Sequence, residues 1–101
     1  MIFRIEDKMK NREIEKRIAK NSIIGSRIRA LRNVRGLSIE VAAKNAKISY
    51  QGLQAIEKGA DPHVSRLSRI ATALGVSIVD LLDKDRFNSS LAAAVESDQG
   101  Q

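Results

Sequence analysis

The sequence predicts an all-α protein: a compact bundle of five short helices, preceded by a basic N-terminal extension and followed by a short C-terminal tail. Three observations carry that prediction. Between Ile23 and Leu82 apolar residues recur at three- and four-residue spacing, broken only by short polar or glycine-containing joints and by the single proline, Pro62. No stretch alternates apolar and polar residues between hairpin turn residues, so no strand pattern competes. A chain of 101 residues has room for one core, and with aromatics at only 3% that core is built from Ile, Leu, Val and Ala.

Residues 1–21 make the extension, where Ile2, Ile5, Met9, Ile14 and Ile18 lie scattered among charges in a broken amphipathic pattern. That pattern suits an arm or an extra helix. The predicted domain occupies residues 22–83. Ile24, Ile28, Leu31 and Val34 mark one face of its first helix, which Gly36 ends because glycine accepts positive φ. Ser38 caps a second helix with the inner face Ile39, Ala42, Ala43 and Ala46, whose small side chains admit a close neighbour. Ser49 caps a third, Tyr50 to Lys58, anchored by Leu53 and Ile56 and stopped by Gly59; Gly52 inside it costs about 1 kcal/mol relative to alanine. After Ala60-Asp61-Pro62 a fourth carries Val64, Leu67, Ile70, Ala71 and Leu74 and is closed by Gly75. Ser77 opens a fifth with Ile78, Leu81 and Leu82 inward. In the tail, residues 84–101, Ser89 and Ser90 cap a short Ala-rich helix at 90–95, and the polar end from Glu96 to Gln101 is expected to lack order.

Charge narrows the function. Eighteen Lys and Arg against twelve Asp and Glu give a net +6 and a pI near 10.1, a balance suited to a polyanionic partner, nucleic acid first. The cations are concentrated: residues 1–36 hold eleven basic groups against four acidic ones, while residues 80–101 hold two against five. The absence of cysteine removes disulfides, thiolate metal sites and Cys nucleophiles, and favours a cytoplasmic address. His63, the one histidine, has neither a second His nor a spaced carboxylate beside it, so no metal site is expected. There is no glycine-rich phosphate loop and no pair of inward carboxylates, which argues against an enzyme. No apolar run is long enough for a membrane span, and the charged start does not read as a signal peptide.

The second and third helices are too short to stand alone, and only Lys47-Ile48-Ser49 joins them. So short a joint forces the sharp crossing of a helix-turn-helix, in which the second helix offers its outer face to a major groove. Gly36-Leu37-Ser38, Ala43, Ile48-Ser49, Leu53, Ile56-Glu57-Lys58-Gly59, Pro62, Leu67, Ile70-Ala71, Ala73-Leu74-Gly75-Val76-Ser77 and Leu81-Leu82 match without a gap the pattern of a known family. By these residues the chain resembles the lambda-repressor-like (Xre/Cro-type) helix-turn-helix family.

The resemblance implies a five-helix domain that binds a palindromic operator in double-stranded DNA as a homodimer and acts as a transcriptional repressor, with no catalysis and no cofactor. It implies base-reading side chains at Tyr50, Gln51, Gln54 and Ala55; Gln bonds adenine bidentately and an Ala methyl packs on a thymine methyl. It implies phosphate contacts from Lys44, Lys47, Ser49 and Lys58, joined by Arg27 at the start of the first helix and by His63. It implies an internal ion pair between Arg32 and Glu57, since an acid late in a helix, against its dipole, wants a cation. It implies a dimer surface on the fifth helix, where Val79 adds an outward apolar side chain beside Ile78 and Leu82, with Leu91 and Val95 enlarging it. Ile39 stands where the family usually has a phosphate-donating Gln, and Lys47 where it commonly has Gly in the turn. Two other roles remain compatible: an antitoxin that grips a toxin or another protein partner through its termini, and a restriction-modification controller.

Overall fold

The computed structural model describes residues 5–99, with side chains from residue 20 to residue 96. Among the described residues there are six α-helices and no strand: α1 (Ile5–Val34), α2 (Ile39–Ala46), α3 (Tyr50–Glu57), α4 (Val64–Ala73), α5 (Ile78–Leu82) and α6 (Lys84–Gln99). The side chains of Ile2, Ile5, Met9, Ile14 and Ile18 lie outside the described set.

The helix ends follow from local chemistry. Ser38, Ser49 and Ser77 each sit in extended backbone and accept a hydrogen bond from an N–H three residues on: Val41 at 3.2 Å, Gly52 at 2.9 Å and Asp80 at 3.3 Å. At the other ends one cap recurs four times. Leu37 N–H donates to Arg32 O, Ile48 to Ala43 O, Ala60 to Ala55 O and Val76 to Ala71 O, each at 2.9 or 3.0 Å. That geometry needs a left-handed residue just before the donor, and those residues are Gly36, Lys47, Gly59 and Gly75. Lys47, at φ 58°, is the one non-glycine among them.

Packing then assembles the bundle. Ile28 and Leu31 of α1, Leu53 and Ile56 of α3, Leu67, Ile70 and Leu74 around α4, and Leu81 of α5 are all buried in one core. The alanines of α2, Ala42, Ala43 and Ala46, are buried too, and they let α4 and α3 close on that helix. The crossing of α1 over α3 is closer still. A Cβ on Gly25 would meet the Ile56 carbonyl oxygen at 2.5 Å and that of Glu57 at 2.7 Å, so only glycine fits.

Three expectations are corrected. α1 is not a short helix entered from a separate extension, because residues 5–34 form one unbroken helix. The tail is not a short helix at 90–95 either. α6 runs from Lys84 to Gln99, and Phe87, Leu91 and Ala94, at helical spacing, turn inward against α1 and α5. Asp83 starts it, accepting the Asp85 N–H on its carboxylate at 3.3 Å and the Phe87 N–H on its carbonyl at 2.8 Å. The polar end is therefore helical as far as Gln99, while Gly100 and Gln101 lie outside the described residues. Finally, of the α5 residues expected to face inward, Leu81 is fully buried and Ile78 half-buried, but Leu82 is 52% exposed. Leu81 and Leu82 are neighbours in sequence and point to different sides of the helix, so burying the first turns the second outward.

Candidate nucleic-acid interface

α3 is fixed from behind and open in front. At its C-terminal end Glu57 is buried, its side chain 1% exposed, and its carboxylate takes a two-pronged contact from Arg32: Nε to Oε2 at 2.8 Å and Nη2 to Oε1 at 2.9 Å. Arg32 Nη1 also donates to the Leu37 carbonyl at 2.9 Å, so one guanidinium ties α1, its cap and α3. The hydrogen-bonded Glu57 carboxylate raises the Arg32 pKa against the opposing effect of burial. Arg29, one turn earlier on α1, adds a third contact, Nε to Glu57 Oε1 at 3.3 Å. The sequence reading missed Arg29, although its spacing from Arg32 puts both on one helix face.

On the front of α3, Tyr50 is 41% exposed, Gln51 and Ala55 are exposed, and Gln54 is half-buried. These four side chains occupy the first six residues of the helix. The Ser49 hydroxyl oxygen is occupied as a cap by the Gly52 N–H, which leaves the hydroxyl hydrogen to donate outward. Lys44, Lys47 and Lys58 are exposed around this face, and none pairs with a carboxylate among the described residues. His63 occupies the N-cap position of α4 without making a side-chain cap bond.

Arg27 is placed differently from the expectation. It lies far along α1 rather than at a helix start. Its Nη1 donates to the Leu81 carbonyl at 2.8 Å, and its guanidinium stands 5.5 Å from the Phe87 ring centroid. That cation holds α1 to α5 and α6.

α3 is thus tied to α1 through Glu57 while its outer face stays open. A helix-turn-helix family model matches residues 28–81, more than half of the chain. The chain belongs to the lambda-repressor-like (Xre-type) helix-turn-helix family. Family membership makes it a DNA-binding helix-turn-helix regulator. Comparison with curated proteins and with solved structures gave no significant match.

The remaining surface of this helix-turn-helix protein holds little competing chemistry. Among the described residues no group of His, Asp and Glu is placed to hold a metal ion, and no helix is long and apolar enough to cross a membrane. An apolar cleft is lined by Lys20, Ile23, Ile24 and Arg27 of α1 and by Leu82. Ile23 and Leu82 in its lining are 48% and 52% exposed, and Val79 of α5 is 45% exposed. By contrast Leu91, counted above toward an outward apolar surface, packs against the chain's own core.

Proposed function

We propose that the protein is a transcriptional regulator of repressor type that binds a two-fold symmetric operator as a homodimer. The observation that supports this best is the setting of α3, locked at one end by the Arg32–Glu57 pair while Tyr50, Gln51, Gln54 and Ala55 stay open to solvent. A helix held this firmly meets a groove with little ordering cost, and its amide side chains carry the donor and acceptor pair that adenine requires. Lys44, Lys47 and Lys58 serve as backbone contacts that set register, with the Ser49 hydroxyl beside them. The exposed apolar side chains of Ile23, Val79 and Leu82 are the surface through which two copies pair, with Ile78 at its edge.

The test is an electrophoretic shift assay against DNA upstream of the protein's own gene, at two salt concentrations, with a scrambled duplex as reference. Gln51→Ala is expected to weaken the specific complex by roughly 1–3 kcal/mol and leave scrambled-duplex binding unchanged. Equal loss on both duplexes would mean that the recognition surface lies elsewhere. A monomeric mass by light scattering at micromolar concentration, with and without DNA, would reject the dimer.

A further inference from the structure

Beside the lysines of the helix-turn-helix stand two arginines that neither the sequence reading nor the family match picks out. Arg66 and Arg69 lie on α4, one turn apart and both exposed. Residues three apart share a helix face. Arg66 reaches across to the first turn of α3: a Cβ on Gly52 would stand 4.0 Å from its Nη1 and 2.9 Å from Ser49 Oγ. A Cβ there would crowd the cap hydroxyl and only touch the guanidinium, so the Ser49 hydroxyl and Arg66 lie on either side of Gly52 at the start of α3. Arg69 lines a shallow cleft with Asn45, Lys47 and Thr72, alongside the turn that joins α2 to α3.

The charge state of this strip is what gives it meaning. Arg29, Arg32 and Arg86 each have a carboxylate within 4 Å, whereas Arg66, Arg69 and Lys47 have none among the described residues. Three cations gathered on one edge without a counter-charge repel one another, and burial is not the reason for their placement because all three are exposed. A polyanion laid along that edge removes the repulsion and releases the polyanion's condensed counterions.

We infer that Arg66 and Arg69, with Lys47, form a phosphate-binding strip on α4 that grips the DNA backbone beside the start of α3. The inference rests on the DNA-binding reading and deepens it: the duplex is held by α4 as well as by the helix-turn-helix. The contacts are to phosphate, so they add affinity for any sequence and leave discrimination to Gln51 and its neighbours.

The experiment uses the full chain and a mixed-sequence DNA duplex, with fluorescence anisotropy titrations across a salt series. Arg66→Ala and Arg69→Ala are each expected to lower the steepness of log K against log[salt] by about 0.9 per protomer bound, one phosphate contact apiece. Arg66→Lys, which keeps the charge, is expected to retain the slope. Lys84→Ala removes a cation from α6, remote from the turn, and is expected to leave the slope unchanged. Circular dichroism melts of the same variants establish that each is folded. Slopes for Arg66→Ala and Arg69→Ala no different from that of Lys84→Ala would overturn the inference alone. Failure of the wild-type chain to bind the duplex at any salt would overturn the DNA reading and the inference together.

Discussion

Glu57 concentrates more of the fold's electrostatics than any other side chain. It is buried against two arginines of α1, and the more buried of these, Arg32, meets it with two hydrogen bonds. A buried charge is tolerable only while it is paired. Removing Arg32 leaves a carboxylate with one longer contact from the half-exposed Arg29, so Arg32→Ala is expected to cost about 3 kcal/mol or more, and Glu57→Ala a comparable amount. The double variant should lose much less than the sum, as a cycle of denaturant titrations would show. Additive losses would mean that the pair carries no coupling. Lys47 stores strain of another kind. Its left-handed backbone, φ 58° and ψ 43°, costs a non-glycine residue roughly 1 kcal/mol or somewhat more. Lys47→Gly is therefore expected to raise the melting temperature while weakening binding to every duplex, and a variant that is both less stable and equally tight would refute the assignment.

The recurring serine caps and the glycine stops were legible in the sequence because each is a matter of a few neighbouring residues. Lys47 was legible as a departure, though only the backbone shows that it keeps the glycine geometry. Gly25 was not legible, since its reason is the pair of carbonyls of Ile56 and Glu57, far along the chain. Phe87 was overlooked among Lys84, Asp85, Arg86 and Asn88, although Leu91 and Ala94 follow it at helical spacing. Arg27 read as a surface cation because nothing local reveals the Leu81 carbonyl and the Phe87 ring that capture it. Long-range partners are what the reading lacked.

Among the helices α5 is the shortest and has the most complete cap. The Ser77 hydroxyl accepts the Asp80 N–H, and the Asp80 carboxylate accepts the Ser77 N–H at 2.9 Å. That backbone N–H, helped by the Ser77 hydroxyl and by Arg86, holds the Asp80 carboxyl below the usual carboxylate range despite an opposing effect of desolvation. A depressed folded pKa means stabilisation that is present at neutral pH and is lost as pH falls through the folded value. Asp80→Asn should thus be less stable than the wild type at neutral pH, and the difference should shrink toward zero in strong acid. Thermal melts across pH decide it: a difference that is constant with pH would show that the carboxylate's charge is irrelevant to the cap. The consequence reaches further than α5 alone, because Val79 and Leu82, the apolar side chains assigned to pairing, are displayed by this helix.

For the molecule as a whole the decisive dimension is the length of α1. Thirty residues at 1.5 Å each make a helix of about 45 Å, while the shorter extents of the molecule are 29 and 18 Å and the longest is 62 Å. The first half of α1 therefore runs out past the bundle as a continuation of a core helix. A segment that shares one unbroken helix with Ile28 and Leu31 moves with the core, and it does not wrap a duplex as a flexible arm does. Lys20 and Ile23, near where α1 joins the bundle, border the cleft that ends at Leu82, on the face assigned to pairing. A projecting helix of this length is marginal in water without a partner, and in the proposed dimer a second copy would supply one. Deleting residues 1–20 is therefore expected to leave a folded domain, since the core side chains begin at Ile24 and Ile28, and to weaken self-association as read by sedimentation equilibrium. The salt slope of duplex binding per protomer should stay where it was. A shallower slope with an unchanged association constant would instead assign the segment to DNA, and loss of neither would leave the basic stretch free for a different protein partner.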